Sequence, residues 1–253
     1  MIRKSILALL LAASGVSAHA ALSAGDIAVI AYNTDGEDNF AWVALTDIAA
    51  NTTINFTDSS WQATAFRTTE HLDAGGPLTW TSTGTLSAGS VVSFNGNVAQ
   101  TWSIGSGNGA SAFLNLSSSG DQIFAFQGSN TSPDFVYGLQ FAHSAGIVAA
   151  PTVSNSTNTT NVPDALSELG GTLFNVGNFD NGYYMGTTTG SKAELLSAIA
   201  DQANWSRDNA GPLAQTSWVS SMTVTAVPEP KSAAMLLAGL GLIGGMVLRR
   251  GGR

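Results

Sequence analysis

The chain is 253 residues long, has no cysteine, and carries nine basic against seventeen acidic side chains, a net charge of −8. Without a thiol there is no disulfide framework, no thiolate nucleophile and no cysteine-bound metal. The acidity repels phosphate backbones and excludes nucleic acid as a partner.

The first twenty residues read as an export signal. Arg3 and Lys4 form a positive start, Ile6 to Ala13 an apolar stretch too short to span a membrane, and Ala18-His19-Ala20 a small-residue cleavage site, so the mature chain begins at Ala21. Export machinery and a signal peptidase are therefore implied partners. Between Ala21 and Lys231 lie seventeen acidic and four basic side chains, a net of −13 that the whole-chain value conceals.

Residues 21–226 read as one acidic, mostly β ectodomain. Short apolar runs recur between turn residues at Asp26–Ala31, Phe40–Ile48, Thr52–Thr57, Leu78–Thr81, Ser90–Phe94, Gln122–Gln127, Asp134–Phe141, Thr172–Val176 and Trp218–Thr225. In Thr52–Thr57, Ile54 and Phe56 face one way while Thr53, Asn55 and Thr57 face the other, the pattern of a half-buried antiparallel strand. Nine such strands predict an antiparallel β-sandwich. Asp35-Gly36, Asn95-Gly96, Ser119-Gly120 and Asn181-Gly182 tolerate positive φ and are expected to close turns.

Candidate chemistry in this body is sparse. Asn33, Asp35, Glu37 and Asp38 crowd one short loop, and hard oxygen ligands at that spacing suit Ca²⁺ outside the cell, although the loop lacks the EF-hand glycine and terminal glutamate. A solvated hairpin loop explains the same residues. Trp61, after Asp58-Ser59-Ser60, and Trp102, beside a Gly-rich loop, are candidate surface platforms for a sugar ring; Trp42 and Trp80 read as core. His71 and His143 are the histidines left after signal removal. Neither lies in a metalloprotease or nucleophile-elbow pattern, so a hydrolase is the third reading behind a structural and a binding role, and no catalytic residue is assigned.

The back half begins with Pro151–Asn161, almost all Ser, Thr and Asn, which reads as a flexible loop. Pro163 to Leu169 suggests a single turn stopped by Gly170-Gly171. Ser191-Lys192-Ala193-Glu194 is a capping box, and Leu196, Ile199, Ala200 and Ala203 follow at helical spacing, predicting one late helix from Ser191 to Ala203.

The tail, residues 227–253, has a different character. Pro228-Glu229-Pro230 precedes seventeen uncharged residues, 232–248, which as a helix reach about 25 Å, just short of the roughly 30 Å of a bilayer core. Gly239, Gly241, Gly244 and Gly245 weaken that helix further, so it reads as a marginal single transmembrane anchor. Arg249, Arg250 and Arg253 follow directly and place the C-terminus in the cytoplasm and the body outside the inner membrane.

A Pro-Glu-Pro triplet, a short apolar span and a terminal arginine cluster resemble the PEP-CTERM sorting signal of Gram-negative bacteria. The resemblance implies exosortase as a partner, Pro228, Glu229 and Pro230 as the residues recognised, and a final place at the cell surface or in an exopolysaccharide or biofilm matrix. The run Gly25–Asn33, with Phe40–Leu45, Thr57-Asp58, Leu86–Gly89 and Leu116–Asp121, is similar to the lamin-tail fold, an immunoglobulin-like sandwich of exported proteins. That likeness implies adhesive or matrix roles for the front half.

Overall fold

Every apolar run read as a strand between Asp26 and Phe141 forms one. The computed structural model describes residues 21–70, 76–96, 101–108 and 114–226. Residues 1–20, His71 and the tail 227–253, with the predicted anchor 232–248, lie outside the described residues. In chain order the strands are β1 Ile27–Asn33, β2 Asn39–Ala44, β3 Thr53–Thr57, β4 Leu78–Thr81, β5 Val91–Asn95, β6 Thr101–Trp102, β7 Ser106–Gly107, β8 Asp121–Ser129 and β9 Ser132–Phe141. They continue with β10 Ile147–Val148, β11 Thr160–Asn161, β12 Leu173–Asn175, β13 Asn181–Tyr184, β14 Thr189–Gly190, β15 Trp205–Asp208 and β16 Thr223–Val224. One helix, α1 Lys192–Ile199, stands between β14 and β15.

Twelve of these strands build a two-sheet sandwich. The first sheet runs β15-β13-β1-β2-β5-β6 and the second β12-β9-β8-β3-β4-β7. Pairing is antiparallel throughout except for β12 beside β9. The sheets meet through aromatic pairs: Tyr32 stacks on Phe141 with centroids 4.4 Å apart, Phe40 meets Phe56 at 5.2 Å, and Trp42 stands edge-on to Trp80 at 4.8 Å. Both sheets take strands from either side of the Ser/Thr/Asn-rich stretch 151–161, since β12 joins β9 and β13 joins β1.

The half-buried pattern expected of the strands holds for β4 and β5 but not for the central ones. β1 and β2 are buried along their whole length. Covering layers explain this. Residues 215–220, with Trp218 and Val219, lie over Ala41, Val91 and Ser93 of the first sheet. On the outside of the second, Trp61, Phe66, Phe135 and Leu166 form a second core against Phe124 and Phe126.

The back half departs most from its sequence. Asn181-Gly182 is not a turn: both residues lie in β13, with Gly182 opposite Tyr32. A Cβ there would sit 2.9 Å from the Tyr32 ring, so the glycine serves close packing. β15 was not visible as an alternating run. Trp218–Thr225 yields only the two-residue β16, because Gln215–Ser217 forms a 3₁₀ turn that puts Trp218 into the core. The stretch read as a flexible loop is tied down, with Asn161 Nδ2 donating to Val148 O and Thr152 O. The helix follows its capping box but ends at Ile199, and 202–204 is a separate 3₁₀ turn.

Candidate functional site

The strand register gives the sandwich two distinct poles. Ile27 pairs with Ala44 at one end of the first sheet, and Asn33 with Asn39 at the other, where Asn39 also meets Asn95 of β5. Tyr32 stacked on Phe141 aligns the second sheet, so that the start of β8 and the end of β3 belong to the Asn33 end. Seven residues of strand separate the poles by about 20 Å.

At the Asn33 pole the chain buries three carboxylates around a cavity of about 170 Å³ lined by Asp58, Glu70, Asn115, Ser117, Asp121 and Thr157. Asp58 follows β3, Asp121 opens β8, and Glu70 comes from the long β3–β4 connection. Backbone amides hold each one. Asn115 N donates to Asp58 Oδ2 at 2.8 Å, Ser60 N to Glu70 Oε2 at 2.6 Å, and Ser117 N and Gln122 N to the two oxygens of Asp121 at 2.8 Å each.

Burial and the neighbouring Asp58 charge push the Asp121 carboxyl well above the usual carboxylate range, against the pull of its two amides. Glu70, its side chain only 6% exposed, is raised by burial as well, with Ser60 N and the Arg67 guanidinium 3.6 Å away opposing the rise. Beneath them Gln122, fully buried, donates from Nε2 to Asp58 O, Asp121 Oδ1 and Thr157 O. Its Oε1 is buried without a hydrogen-bond partner, a costly arrangement in so acidic a pocket.

The predicted calcium loop sits at the same pole but its side chains are turned to other work. Asn33 clamps the backbone of Leu213, donating to its O and accepting from its N at 2.9 Å each. Asp35 Oδ2 accepts from Asn181 Nδ2 at 2.7 Å, while Glu37 and Asp38 are half-buried. Among the described residues no three acidic or histidine side chains stand close enough to hold a metal ion together.

The surface placement of Trp61 is corrected. It is 8% exposed, edge-on to Phe66 and Phe135 in the second core. Trp102 is half-buried among Phe40, Phe56 and Phe94, its Nε1 donating to Thr79 O at 3.2 Å. His143 Nδ1 accepts from Ala145 N at 3.3 Å.

The opposite pole receives the end of the chain. Met222 N donates to Gly89 O, Thr223 N to Thr188 O and Thr225 N to Gly190 O, so the backbone is anchored up to the residue before Ala226. From there the sequence matches a known pattern: residues 226–251 fit the PEP-CTERM protein-sorting motif. The chain carries a PEP-CTERM sorting signal. The signal marks an exported, envelope-targeted protein with exosortase as its processing partner. No curated protein and no solved structure matches the chain, and the lamin-tail likeness of the front half finds no support there. Among the described residues no helix is long and apolar enough to cross a membrane, and the PEP-CTERM tail itself lies beyond them.

Proposed function

We propose that the protein is a non-catalytic, exosortase-sorted component of the cell surface or exopolysaccharide matrix, delivered by its tail and presenting the acidic pole of its sandwich outward. The arrangement that supports this is the opposition of the two poles. The chain leaves for its sorting signal beside Gly89 and Gly190, while Asp58, Glu70 and Asp121 gather at the far end. A body held at the tail end turns the carboxylates away from the membrane. During transit the predicted 232–248 span holds the precursor in the inner membrane.

Replacing Pro228, Glu229 and Pro230 with alanine tests the sorting half of this reading. Full-length protein should then accumulate in the membrane fraction, whereas unchanged processing and location would refute it.

A second reading is a carbohydrate- or Ca²⁺-dependent binding module, and its carbohydrate form is favoured by the oxygen-lined cavity with its unpartnered Gln122 Oε1. A ligand that binds the native state raises its melting temperature. Purified mature protein should therefore melt higher in millimolar Ca²⁺ or with matrix polysaccharide; no shift with either removes the reading.

A further inference from the structure

The last described strand runs into the sorting signal without a spacer in the sequence. β16 pairs in parallel with β14, Thr223 opposite Thr189 and Val224 opposite Gly190. Thr225 N still donates to Gly190 O at 2.8 Å, and Pro228 follows three residues later. At the rise of an extended chain those three residues cover about 10 Å. The first residue of the triplet is thus tethered within that distance of a folded pole.

The triplet itself is poor in handles for a main-chain grip. Pro228 and Pro230 lack an N–H, leaving Glu229 as its one backbone donor. An enzyme that takes an extended peptide by main-chain hydrogen bonds must therefore use flanking residues. On the side of the body these are Thr225, Ala226 and Val227, and the Thr225 amide is already committed to Gly190 O.

We propose that β16 and Thr225 form a latch: the segment that exosortase must grip is paired with β14, and processing requires that pairing to open. The latch is built to open locally. Residues 223, 225 and 226 are exposed, Val224 is half-buried, and only a short parallel ladder, flanked by Thr223 N to Thr188 O and Thr225 N to Gly190 O, joins 223–225 to 188–190. Behind it the chain is firmly held, with Met222 and Trp218 buried in the core. At Gly89, with φ +89°, a Cβ would fall 2.0 Å from Met222 O. Opening therefore frees residues 223–226 and stops at Met222.

This inference rests on exosortase acting at the triplet, and the test separates the two. The chain has no cysteine, so Thr189→Cys with Thr223→Cys places a unique pair at directly opposed positions where a disulfide locks the latch. In cells that process the wild-type chain, the oxidised double variant should accumulate as precursor, processed at least tenfold more slowly, and recover on reduction. Six Gly/Ser residues inserted between Ala226 and Val227 of the locked chain should restore processing without reduction. A locked chain processed at the wild-type rate overturns the latch, as does a block that the insertion leaves in place. Failure of the wild-type chain to be processed would instead count against the sorting reading.

Discussion

The three carboxylates at Asp58, Glu70 and Asp121 make stability depend on pH in an unusual direction. Asp121 and Glu70 are raised by burial and by the Asp58 charge, so the folded state holds protons more tightly than the unfolded one. Stability from such groups is fully present below the ordinary carboxylate range and declines as pH climbs through the raised folded values. Melting temperature should therefore rise as pH is lowered through the raised folded values towards the ordinary carboxylate range, and Asp58→Asn, which removes the charge that opposes ionisation of Asp121, should flatten that slope. A melting temperature that falls on mild acidification would contradict the assignment. Asn33 is a second decisive residue. Its amide makes both bonds to Leu213, and Asn33→Ala removes them from that half-buried backbone at a cost of about 0.5–1.5 kcal/mol per bond by chemical denaturation. Glu70 reads in sequence only as part of a small polar group with His71 and Asp73 ahead of Gly75-Gly76, and its gathering with Asp58 and Asp121 was not legible. Residues 58, 70 and 121 have no local spacing, and only the pairing of β3 with β8 brings two of them together. The visible crowd at Asn33 to Asp38 was local instead, and its first two side chains serve the backbone and Asn181.

Among the elements, the front-half strands were legible because their apolar runs are bounded by turn residues. The helix was legible because its cap is written in adjacent residues. Glu194 N donates to Ser191 Oγ at 3.3 Å, Ser191 N donates to Glu194 Oε2 at 2.8 Å, and the Ser191 amide and hydroxyl hold the Glu194 carboxyl below its usual range. Ser191→Ala should cost about 1 kcal/mol in denaturant titration, and Glu194→Gln less. β13 and β15 escaped detection for opposite reasons. Asn181-Gly182 carries turn residues for a packing purpose, and Trp205–Asp208 has one apolar residue whose indole reaches back to Ile199 O. Trp218 was read as a strand residue because its apolar character shows in sequence, whereas the preceding 3₁₀ turn does not. In each case a tertiary contact overrode the local pattern.

At the scale of the whole molecule, the sandwich is held by an aromatic seam between its sheets, in one group around Tyr32 and Phe141 and another around Phe40, Phe56, Trp42 and Trp80, that does not depend on disulfides. Trp42, fully buried and edge-on to Trp80, sits in its middle, and Trp42→Ala should cost about 3–5 kcal/mol, measured as a drop in denaturation midpoint. That seam fixes the two poles some 20 Å apart, and the poles give the molecule its direction: the exit of the chain at Thr225 and Ala226 at one end, carboxylates at the other. The sequence announced the tail through its triplet, apolar span and arginines, but the exit point beside Gly89 and Gly190 exists only in the fold. The most direct test of the account is the fate of the wild-type chain in cells with and without exosortase. It predicts a shortened form beyond the inner membrane when the enzyme is present and full-length, membrane-retained protein when it is deleted. The same size and location in both strains would contradict it.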